Sequence, residues 1–341
     1  MSKGKILVTG GAGYIGSHTY TALLEEGYRA VIADNFSNSD QSIIRGLEEI
    51  TGEEAKLYRV NCADYAAFKE VFEKEGDISG IIHFAAFKAV GESVKQPRKY
   101  YENNVESTLN VLEAMREFSV RDLVFSSSCT VYGEPDALPV TETTSIKPAM
   151  SPYGHTKQIG EDMIRQYEKI DENIRAVLLR YFNPIGAHPS ALIGELPLGK
   201  PENLVPFITQ TAAGLREKLT VFGKDYNTPD GTAVRDYLHV MDLARAHVRS
   251  LDFLHDLDEQ AEPEVINLGM GRGYSVRELI EAFEEVSGVK LNYEYGERRP
   301  GDVEQIYSSC EKASELLGWK CEYGLEDMLR HAWAWQERIS S

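Results

Sequence analysis

Short apolar runs rich in branched residues alternate with helical patterns through the first half of the chain. This alternation is typical of parallel strands joined by crossover helices. It predicts an α/β fold built on a doubly wound, Rossmann-like parallel sheet. The predicted strands are KILVTG, RAVIAD, KLYRV, SGIIHFAA, DLVFSSS and IRAVLLRYF.

The pattern changes after about Pro184, where glycine, proline and charged residues become frequent and the elements become shorter. We expect a second, smaller, substrate-binding region there. The later segments YLHVMDLARAHVRSLDFL and VINLGMG predict a long amphipathic helix and a buried strand that return to the first sheet. The predicted division is a Rossmann domain of residues 1–183 with 237–266 returning to it, and a substrate-binding domain of residues 184–236 and 267–341.

The carboxyl ends of the predicted strands carry the residues of greatest interest, because open parallel sheets bind their ligands at that edge. Several of these ends are polar or small, although a purely structural strand end could carry any residue. They read TGGAG, DN, HFAAFK, SSSCT and YFNP.

The composition describes a globular, acidic protein. Hydrophobic residues make up 42% of 341 positions, and 36 Lys plus Arg against 54 Asp plus Glu give a net charge of -18. This charge disfavours nonspecific binding to nucleic acid or to an anionic membrane. It would also repel a phosphorylated substrate unless arginines cluster locally.

Neither a signal peptide nor a membrane-spanning run is indicated. The four cysteines form no C-x-x-C pair, and the eight histidines form no H-E-x-x-H motif. We therefore expect no metal site and a reducing, cytoplasmic compartment.

A glycine-rich turn, Gly10-Gly11-Ala12-Gly13-Tyr14-Ile15-Gly16, follows the first predicted strand and opens a helix. Glycines at these spacings allow a tight turn, close approach to a pyrophosphate, and close packing of helix on strand. A bare glycine pattern can also be a plain strand-to-helix turn. Here the second strand ends at Asp34, where an acid can hold a ribose hydroxyl and repel a 2′-phosphate. The combination predicts NAD rather than NADP.

In the stretch SPYGHTK, a tyrosine and a lysine lie one helical turn apart. Ser151 and Pro152 are typical of a helix start, so Tyr153 and Lys157 share a face. The plain interpretation is a surface aromatic lying along a lysine stem. With NAD bound, however, hydride transfer from a carbinol requires a base, and a nearby cation favours the phenolate. Serines 126–128 follow the apolar run DLVF and supply a hydroxyl for the substrate oxygen.

The motifs TGGAGYIGSHT, IHFAAFKAVGES, SSSCTVYGE, SPYGHTK, LLRYFNPIGAHPS and GTAVRDYLHVMDLA resemble, in order and over nearly the whole chain, the UDP-glucose 4-epimerase family. That family belongs to the extended short-chain dehydrogenase/reductases. The resemblance implies that Tyr153 is the base, Lys157 its cationic partner and a ligand of the NAD ribose, and Ser128 the hydrogen-bonding hydroxyl. It assigns to the cofactor Gly10, Gly13, Tyr14, Ile15, Gly16, Asp34, Asn35, Asn38, Asn61, Cys62, Phe84, Ala85, Lys88, Asn103, Ser126, Tyr153, Lys157 and Tyr181. It assigns to the substrate Lys88, Ser128, Tyr153, Asn183, Asn203, Leu204, Phe222, Arg235, Arg299, Asp302 and Ile306.

The reaction implied by the resemblance oxidises C4 of the hexose to a ketone, turns the sugar about its pyrophosphate link, and returns hydride to the opposite face. The nucleotide must stay anchored while the sugar turns, and Arg235 and Arg299 supply the local positive charge that the acidic chain needs. The implied partners are UDP-glucose, UDP-galactose and the UDP-N-acetylhexosamines. A homodimer is expected through the segment 100–118 and the helix that begins at SPYGHTK.

Two rival functions fit the same fold. A nucleotide-sugar 4,6-dehydratase needs an Asp-Glu pair after the active-site hydroxyl, and this chain has Cys129 and Thr130 there. Neither is a strong acid or base, so dehydration is disfavoured. A noncatalytic NAD-binding sensor is disfavoured by the presence of Tyr153, Lys157 and Ser128 together, and a turnover assay decides the question.

Two positions differ from the usual family pattern, and a third decides which sugars are accepted. Asn61 replaces the usual acid near the adenine, and Ala86 replaces a common glycine in HFAAFK. A position shortly after R-x-G-D gates access to N-acetylated sugars, and counting places Ile306 there, with Tyr307 as the result of a one-residue slip. We expect UDP-glucose and UDP-galactose as main substrates, with weak activity on the N-acetyl pair.

Overall fold

The computed structural model describes residues 3–257, 262–298 and 303–341. In these ranges the strands are β1 Lys5–Thr9, β2 Arg29–Asp34, β3 Leu57–Arg59, β4 Ile78–His83, β5 Asp122–Ser126, β6 Arg175–Tyr181, β7 Asn183–Ile185, β8 Leu219–Phe222, β9 Val234–His239, β10 Glu264–Leu268, β11 Gly273–Ser275, β12 Tyr293–Gly296 and β13 Gln305–Ile306. The α-helices are α1 Tyr14–Glu25, α2 Ser42–Thr51, α3 Tyr65–Glu75, α4 Val90–Lys95, α5 Pro97–Tyr100, α6 Glu106–Glu117, α7 Pro152–Ile170, α8 Leu204–Ala212, α9 Val240–Asp256, α10 Val276–Ser287, α11 Glu311–Leu317 and α12 Leu325–Ser340.

The main sheet has seven strands in the order β10-β6-β5-β4-β1-β2-β3, and all of its pairings are parallel. The chain runs outward in one direction from β1 to β3 and in the other from β4 to β10. This reversal between β1 and β4 opens a crevice at the carboxyl ends of the strands, which is where such sheets bind ligands. The predicted fold class is confirmed.

Two large hydrophobic clusters cover the two faces of this sheet. Alternate residues of β1 show why, since Ile6 and Val8 belong to one cluster and Leu7 belongs to the other. Strands buried on both faces need continuous apolar runs, which explains the sequence pattern. The later segment adds to this layer, because α9 packs on α1 and β10 pairs with β6.

A smaller region forms beside the crevice around β9. Strand β9 pairs with β7 and β13 in parallel and with β11 antiparallel, while β8 and β12 form a separate parallel pair. Helices α8, α10 and α12 cover these strands with a third hydrophobic cluster. Among the described residues, no helix is long and apolar enough to cross a membrane.

Candidate active site

The glycine turn forms a cradle of backbone at the carboxyl end of β1. Gly10 has φ +67, and a Cβ at that position would lie 2.9 Å from the amide nitrogen of Ala85. A Cβ on Gly16 would lie 2.3 Å from the carbonyl oxygen of Gly10, so only glycine allows the helix to pack this closely. Helix α1 begins at Tyr14, and no side chain caps its amide groups at Gly13. These amides suit a pyrophosphate, so the cradle fits a dinucleotide.

Asp34 ties the end of β2 to this cradle. Its carboxylate accepts hydrogen bonds from the amide of Ala12 at 3.0 Å, the amide of Phe36 at 2.8 Å and the hydroxyl of Ser39 at 3.0 Å. The acid predicted to meet the ribose therefore also holds the glycine turn in shape. Asn35 accepts from the amide of Ser37 in a local turn, and Asn38 is exposed on the same loop.

The turn after β3 carries the next two predicted cofactor residues. The Asn61 side chain accepts from the amide of Ala63 at 3.1 Å, so this amide caps a local turn. The carbonyl of Cys62 accepts from Asn110 at 2.9 Å, and burial raises the pKa of the Cys62 thiol to about 12. Cys62 is therefore a buried, neutral packing residue at the rim of the crevice.

The loop after β4 carries the predicted residues Phe84, Ala85 and Lys88. Phe84 donates its amide to the carbonyl of Thr9 at 3.0 Å, which places the loop beside the glycine turn. Lys88 lies with its Nζ 5.7 Å from the ring centroid of Tyr14. The hydroxyl of Tyr14 donates to the carbonyl of Gly186 at 2.8 Å, so this ring bridges the two regions of the fold.

Sequence reasoning missed Asn104, which lies on a π-helical turn, Tyr101–Val105, between α5 and α6. Its side chain is bonded to the amide and the carbonyl of Phe87 at 2.8 Å and 3.0 Å, and to the hydroxyl of Thr156 at 3.1 Å. It therefore joins the cofactor loop to α7. The predicted Asn103 donates to Asn104 at 3.1 Å. A π-turn leaves no simple sequence signal, although turns of this kind are frequent at functional sites.

Helix α7 begins as the sequence predicts. The hydroxyl of Ser151 accepts from the amide of Gly154 at 3.1 Å, and Pro152 is the first helical residue. Tyr153 and Lys157 are both buried, with Nζ of Lys157 6.0 Å from the ring centroid of Tyr153. The plain interpretation of a surface aromatic on a lysine stem is therefore wrong.

Lys157 is held at the end of β5. Its Nζ donates to the carbonyl of Ser126 at 2.5 Å. Burial lowers the pKa of the Lys157 ammonium to about 7, and the carboxylate of Glu161, one turn further along α7, opposes that shift.

Tyr153 and Ser128 come together as predicted, but the pKa of the tyrosine moves in the unexpected direction. Burial raises the pKa of Tyr153 to about 12, and a hydrogen bond with Ser128 opposes the rise without cancelling it. Lost solvation is the largest influence on this hydroxyl, and the expectation that Lys157 favours the phenolate stays a prediction. The hydroxyl of Ser128 also accepts from the amide and the hydroxyl of Thr130 at 3.2 Å and 3.0 Å.

Ser126 and Tyr181 form a second pair of hydroxyls at the ends of β5 and β6. They are hydrogen-bonded to each other, and both are nearly buried. Burial, with a contribution from the nearby Tyr153, raises the pKa of Tyr181. The predicted residues Ser126, Ser128, Tyr153, Lys157 and Tyr181 therefore occupy one site at the carboxyl edge of the sheet.

Beneath this site lies an ion pair that the sequence analysis missed. The Glu161 carboxylate accepts from Nε and a terminal nitrogen of Arg180 at 2.8 Å and 2.5 Å, and from the hydroxyl of Ser127 at 2.6 Å. The side chains of Glu161 and Arg180 are 1% and 2% exposed. Glu161 follows Lys157 by four residues, as Lys157 follows Tyr153, so all three share one face of α7. This spacing is the sequence signal that could have identified Glu161. Nothing local in the sequence identifies Arg180 as its partner.

The other predicted substrate residues that the structure describes lie in the smaller region, on or beside β7, β8, β9, β13 and α8. Arg235 on β9 is paired with Ile306 on β13, and Asn183 begins β7, which is another neighbour of β9. Asn203 and Leu204 lie at the start of α8, and Phe222 ends β8 with 37% of its surface exposed. Arg299 and Asp302 lie outside the described residues.

The two candidate gate residues face different surroundings. Ile306 packs in a small cluster with Val131 and Phe182, and Cys129, which follows Ser128, packs against the same cluster. Tyr307 lies beside Gly273, where a Cβ would be 3.3 Å from its ring. Ile306 therefore shares a hydrophobic cluster with the catalytic loop.

No group of three or more potential metal ligands occurs in residues 3–257, 262–298 and 303–341.

Comparisons with known proteins cover nearly the whole chain. A family model described as GDP-mannose 4,6 dehydratase matches residues 7–332. UDP-glucose 4-epimerase 2 of Arabidopsis thaliana is 49% identical over 97% of this chain and 94% of its own length. The crystal structure of UDP-glucose 4-epimerase from Bifidobacterium longum in complex with NAD+ and UDP has a TM-score of 0.94 at 45% identity, covering 98% of both chains. The UDP-Glc/GlcNAc 4-epimerase of Campylobacter jejuni has a TM-score of 0.84 at 37% identity, covering 98% of this chain and 99% of that one.

Proposed function

This chain belongs to the UDP-glucose 4-epimerase family, and from that premise we propose that Tyr153 is the general base of its reaction. The reaction is the reversible, NAD-dependent C4 epimerisation of UDP-glucose and UDP-galactose. The observation that carries the proposal is the meeting of the Tyr153 and Ser128 hydroxyls beside the buried Lys157, at the edge that also carries the glycine cradle.

The residues present fit NAD. The cradle of Gly10, Gly13 and Gly16 would take the pyrophosphate, Asp34 would meet the adenosine ribose, and Lys157 would meet the other ribose. Bound NAD would supply the hydride acceptor for oxidation at C4 of the hexose and the hydride donor for its reduction. We further propose that residues 1–183 with 237–266 bind NAD, and that residues 184–236 and 267–341 bind the UDP-sugar.

In the proposed mechanism, proton transfer belongs to Tyr153 and Ser128. The tyrosine oxygen takes the proton of the 4-hydroxyl as the ketone forms and gives it back when the ketone is reduced. Taking the proton requires the phenolate and returning it requires the phenol; burial raises the pKa of Tyr153 and so opposes the first step, which the cation of Lys157 would favour. Ser128 would hold the sugar oxygen opposite the tyrosine, and Thr130 fixes the hydroxyl of that serine.

The nucleotide must be held while the sugar turns, so the binding energy should lie on UDP rather than on the hexose. We propose Arg235 for this role; β9 holds it between Ile306 and Tyr274 on the flanking strands, which supports the proposal. Asn183 begins β7 and would contact the phosphate, while Asn203 precedes α8 and would contact the hexose. In a chain of net charge -18, this local arginine is what makes binding of a pyrophosphate favourable.

Dehydration is the alternative suggested by the name of the matching family model. It requires an acid and a base directly after Ser128. Cys129 and Thr130 occupy those positions, and burial raises the pKa of the Cys129 thiol to about 12. A neutral thiol and a hydroxyl cannot remove a proton from C5 and protonate the departing C6 hydroxyl, so epimerisation is favoured.

The direct experiment is to supply purified protein with UDP-galactose, without added NAD, and to measure UDP-glucose. Turnover supports the proposal. Binding without turnover would instead support a noncatalytic sensor, and a 4-keto-6-deoxy product would support a dehydratase.

The purified protein should carry tightly bound NAD, because a cycle with no net redox change gives no reason to release the cofactor. Acid extraction followed by a nucleotide assay measures the bound cofactor and distinguishes it from NADP. Recovery of NADP would contradict the role given to Asp34. Turnover only with stoichiometric added NAD would contradict tight binding.

Ile306→Ser should raise the ratio of kcat/KM for UDP-N-acetylgalactosamine over UDP-galactose by about tenfold or more. Ile306 packs beside Cys129 and Phe182, so shortening it opens the wall next to the catalytic loop. Steady-state kinetics with both sugars measures the ratio. We propose that the unmodified protein favours the plain hexoses and acts weakly on the N-acetyl pair.

Tyr307→Ser is the matched control for the gate, because it removes a larger side chain one residue away that lies beside Gly273. It should leave the sugar ratio unchanged. A change with Tyr307→Ser and none with Ile306→Ser would move the gate to Tyr307.

We also propose a cytoplasmic homodimer. Helices α6 and α7 pack together on the outer face of the sheet and would meet their copies in a second subunit. Light scattering of the purified protein measures the mass.

A further inference from the structure

Glu195 lies between two side chains that are assigned to the ligands. Its Oε1 accepts from Nζ of Lys88 at 3.2 Å and from the side-chain amide of Asn203 at 2.6 Å. The Glu195 side chain is only 13% exposed, whereas that of Lys88 is 44% exposed. A carboxylate that is largely removed from water needs such partners, and both of its partners here are predicted ligand contacts.

The backbone that carries Glu195 is firmly held. Trp335 of α12 donates its indole N–H to the carbonyl of Glu195 at 2.9 Å. A Cβ on the preceding Gly194 would lie 2.5 Å from the same ring, so the chain runs flat against the indole. Gly194 also forms an antiparallel bridge with Ala187, which follows the strand of Asn183 closely. The carboxylate is therefore presented from a rigid support.

A negative charge at this place would weaken binding of an anionic nucleotide-sugar unless it has another role. The hydrogen bond from Asn203 to Glu195 uses the NH₂ group and so leaves the carbonyl oxygen of that amide facing away, as an acceptor for a sugar hydroxyl. The ion pair with Glu195 likewise restricts the flexible Lys88 side chain to fewer conformations. A single carboxylate thus sets the orientation of both groups.

We propose that Glu195 is a positioning residue that presents Lys88 and Asn203 to the hexose of the UDP-sugar, an inference that rests on the proposed function. A turning sugar meets these groups in two orientations, and prepositioned groups lose less entropy each time. The effect belongs to the hexose, because UDP alone does not reach Lys88 and Asn203 in this scheme.

The test compares Glu195→Ala, Glu195→Gln and the unmodified protein, which must first interconvert UDP-galactose and UDP-glucose. Failure of that first assay would reject the proposed function itself, before any variant is considered. Glu195→Ala should raise KM for UDP-galactose about tenfold, the effect of losing hydrogen bonds to a charged group. Calorimetric Kd for UDP should be unchanged. Glu195→Gln keeps the acceptor for Asn203 and should restore most of the affinity.

Glu202→Ala is the matched control, because it removes an exposed carboxylate from the same loop next to Asn203. It should leave KM unchanged. A mutant cycle gives the decisive measurement: in a background that already carries Lys88→Ala and Asn203→Ala, Glu195→Ala should raise KM by no more than about twofold further. Additive effects in that cycle, an equal loss of affinity for UDP and UDP-galactose, or normal KM in a folded Glu195→Ala protein would each overturn the assignment.

Discussion

Tyr153→Phe should lower kcat for UDP-galactose by at least about 100-fold, the usual contribution of a general acid and base. The substitution removes only the hydroxyl, so the buried ring keeps its packing beside Lys157 and the fold should persist. Single-turnover and steady-state kinetics measure the loss, and calorimetry should give an unchanged Kd for UDP. Loss of a group that acts on the transferred proton lowers kcat without removing nucleotide binding.

Tyr167→Phe is the matched control for this prediction. Tyr167 lies on the same helix α7, but its hydroxyl is bonded to Glu113 of α6 on the outer side. Its removal should leave kcat unchanged. Near-normal turnover with Tyr153→Phe would show that another group carries the proton, and Ser128 would be the first candidate because it shares the hydrogen bond with Tyr153.

The parts of the structure that the sequence predicts well are those with local causes. The turn of Gly10 to Gly16 depends on the space around each glycine, and the start of α7 depends on Ser151 and Pro152 a few positions apart. The main sheet follows from apolar runs buried on both faces. These features can be found because each is encoded within one short window of sequence.

The parts that the sequence does not reveal depend on contacts between distant segments. Glu195 and Lys88 are 107 positions apart, and Asn104 meets Thr156 from 52 positions away. The direction of the Tyr153 pKa is a third case, because it is decided by the depth of burial, which depends on the whole fold. The residues of the site could be named from motifs, but the network that supports them could not.

Arg180→Met should lower the free energy of unfolding by about 3–5 kcal/mol, because it leaves the Glu161 carboxylate charged and buried without its main partner. Glu161 and Arg180 are joined by two hydrogen bonds and are almost fully excluded from water. Urea denaturation at fixed NAD concentration measures the change, since bound cofactor would otherwise shift the apparent stability.

Arg165→Met provides the control, because Arg165 donates to the same carboxylate at 3.0 Å but its side chain is 30% exposed. Because the Arg165 end of this pair reaches solvent and Arg180 still neutralises Glu161, its loss should cost about 1 kcal/mol or less.

The double variant Arg180→Met with Glu161→Leu removes both buried charges and should regain most of the lost stability. Ser127 donates to Glu161 and lies between the site residues Ser126 and Ser128. The double variant therefore separates an effect of the ion pair on stability from an effect on catalysis. If kcat stays low after stability is regained, the ion pair holds the serines in place for catalysis; if kcat recovers as well, the pair acts through the fold alone. Equal costs for Arg180→Met and Arg165→Met would contradict the assignment of a buried, strongly coupled pair.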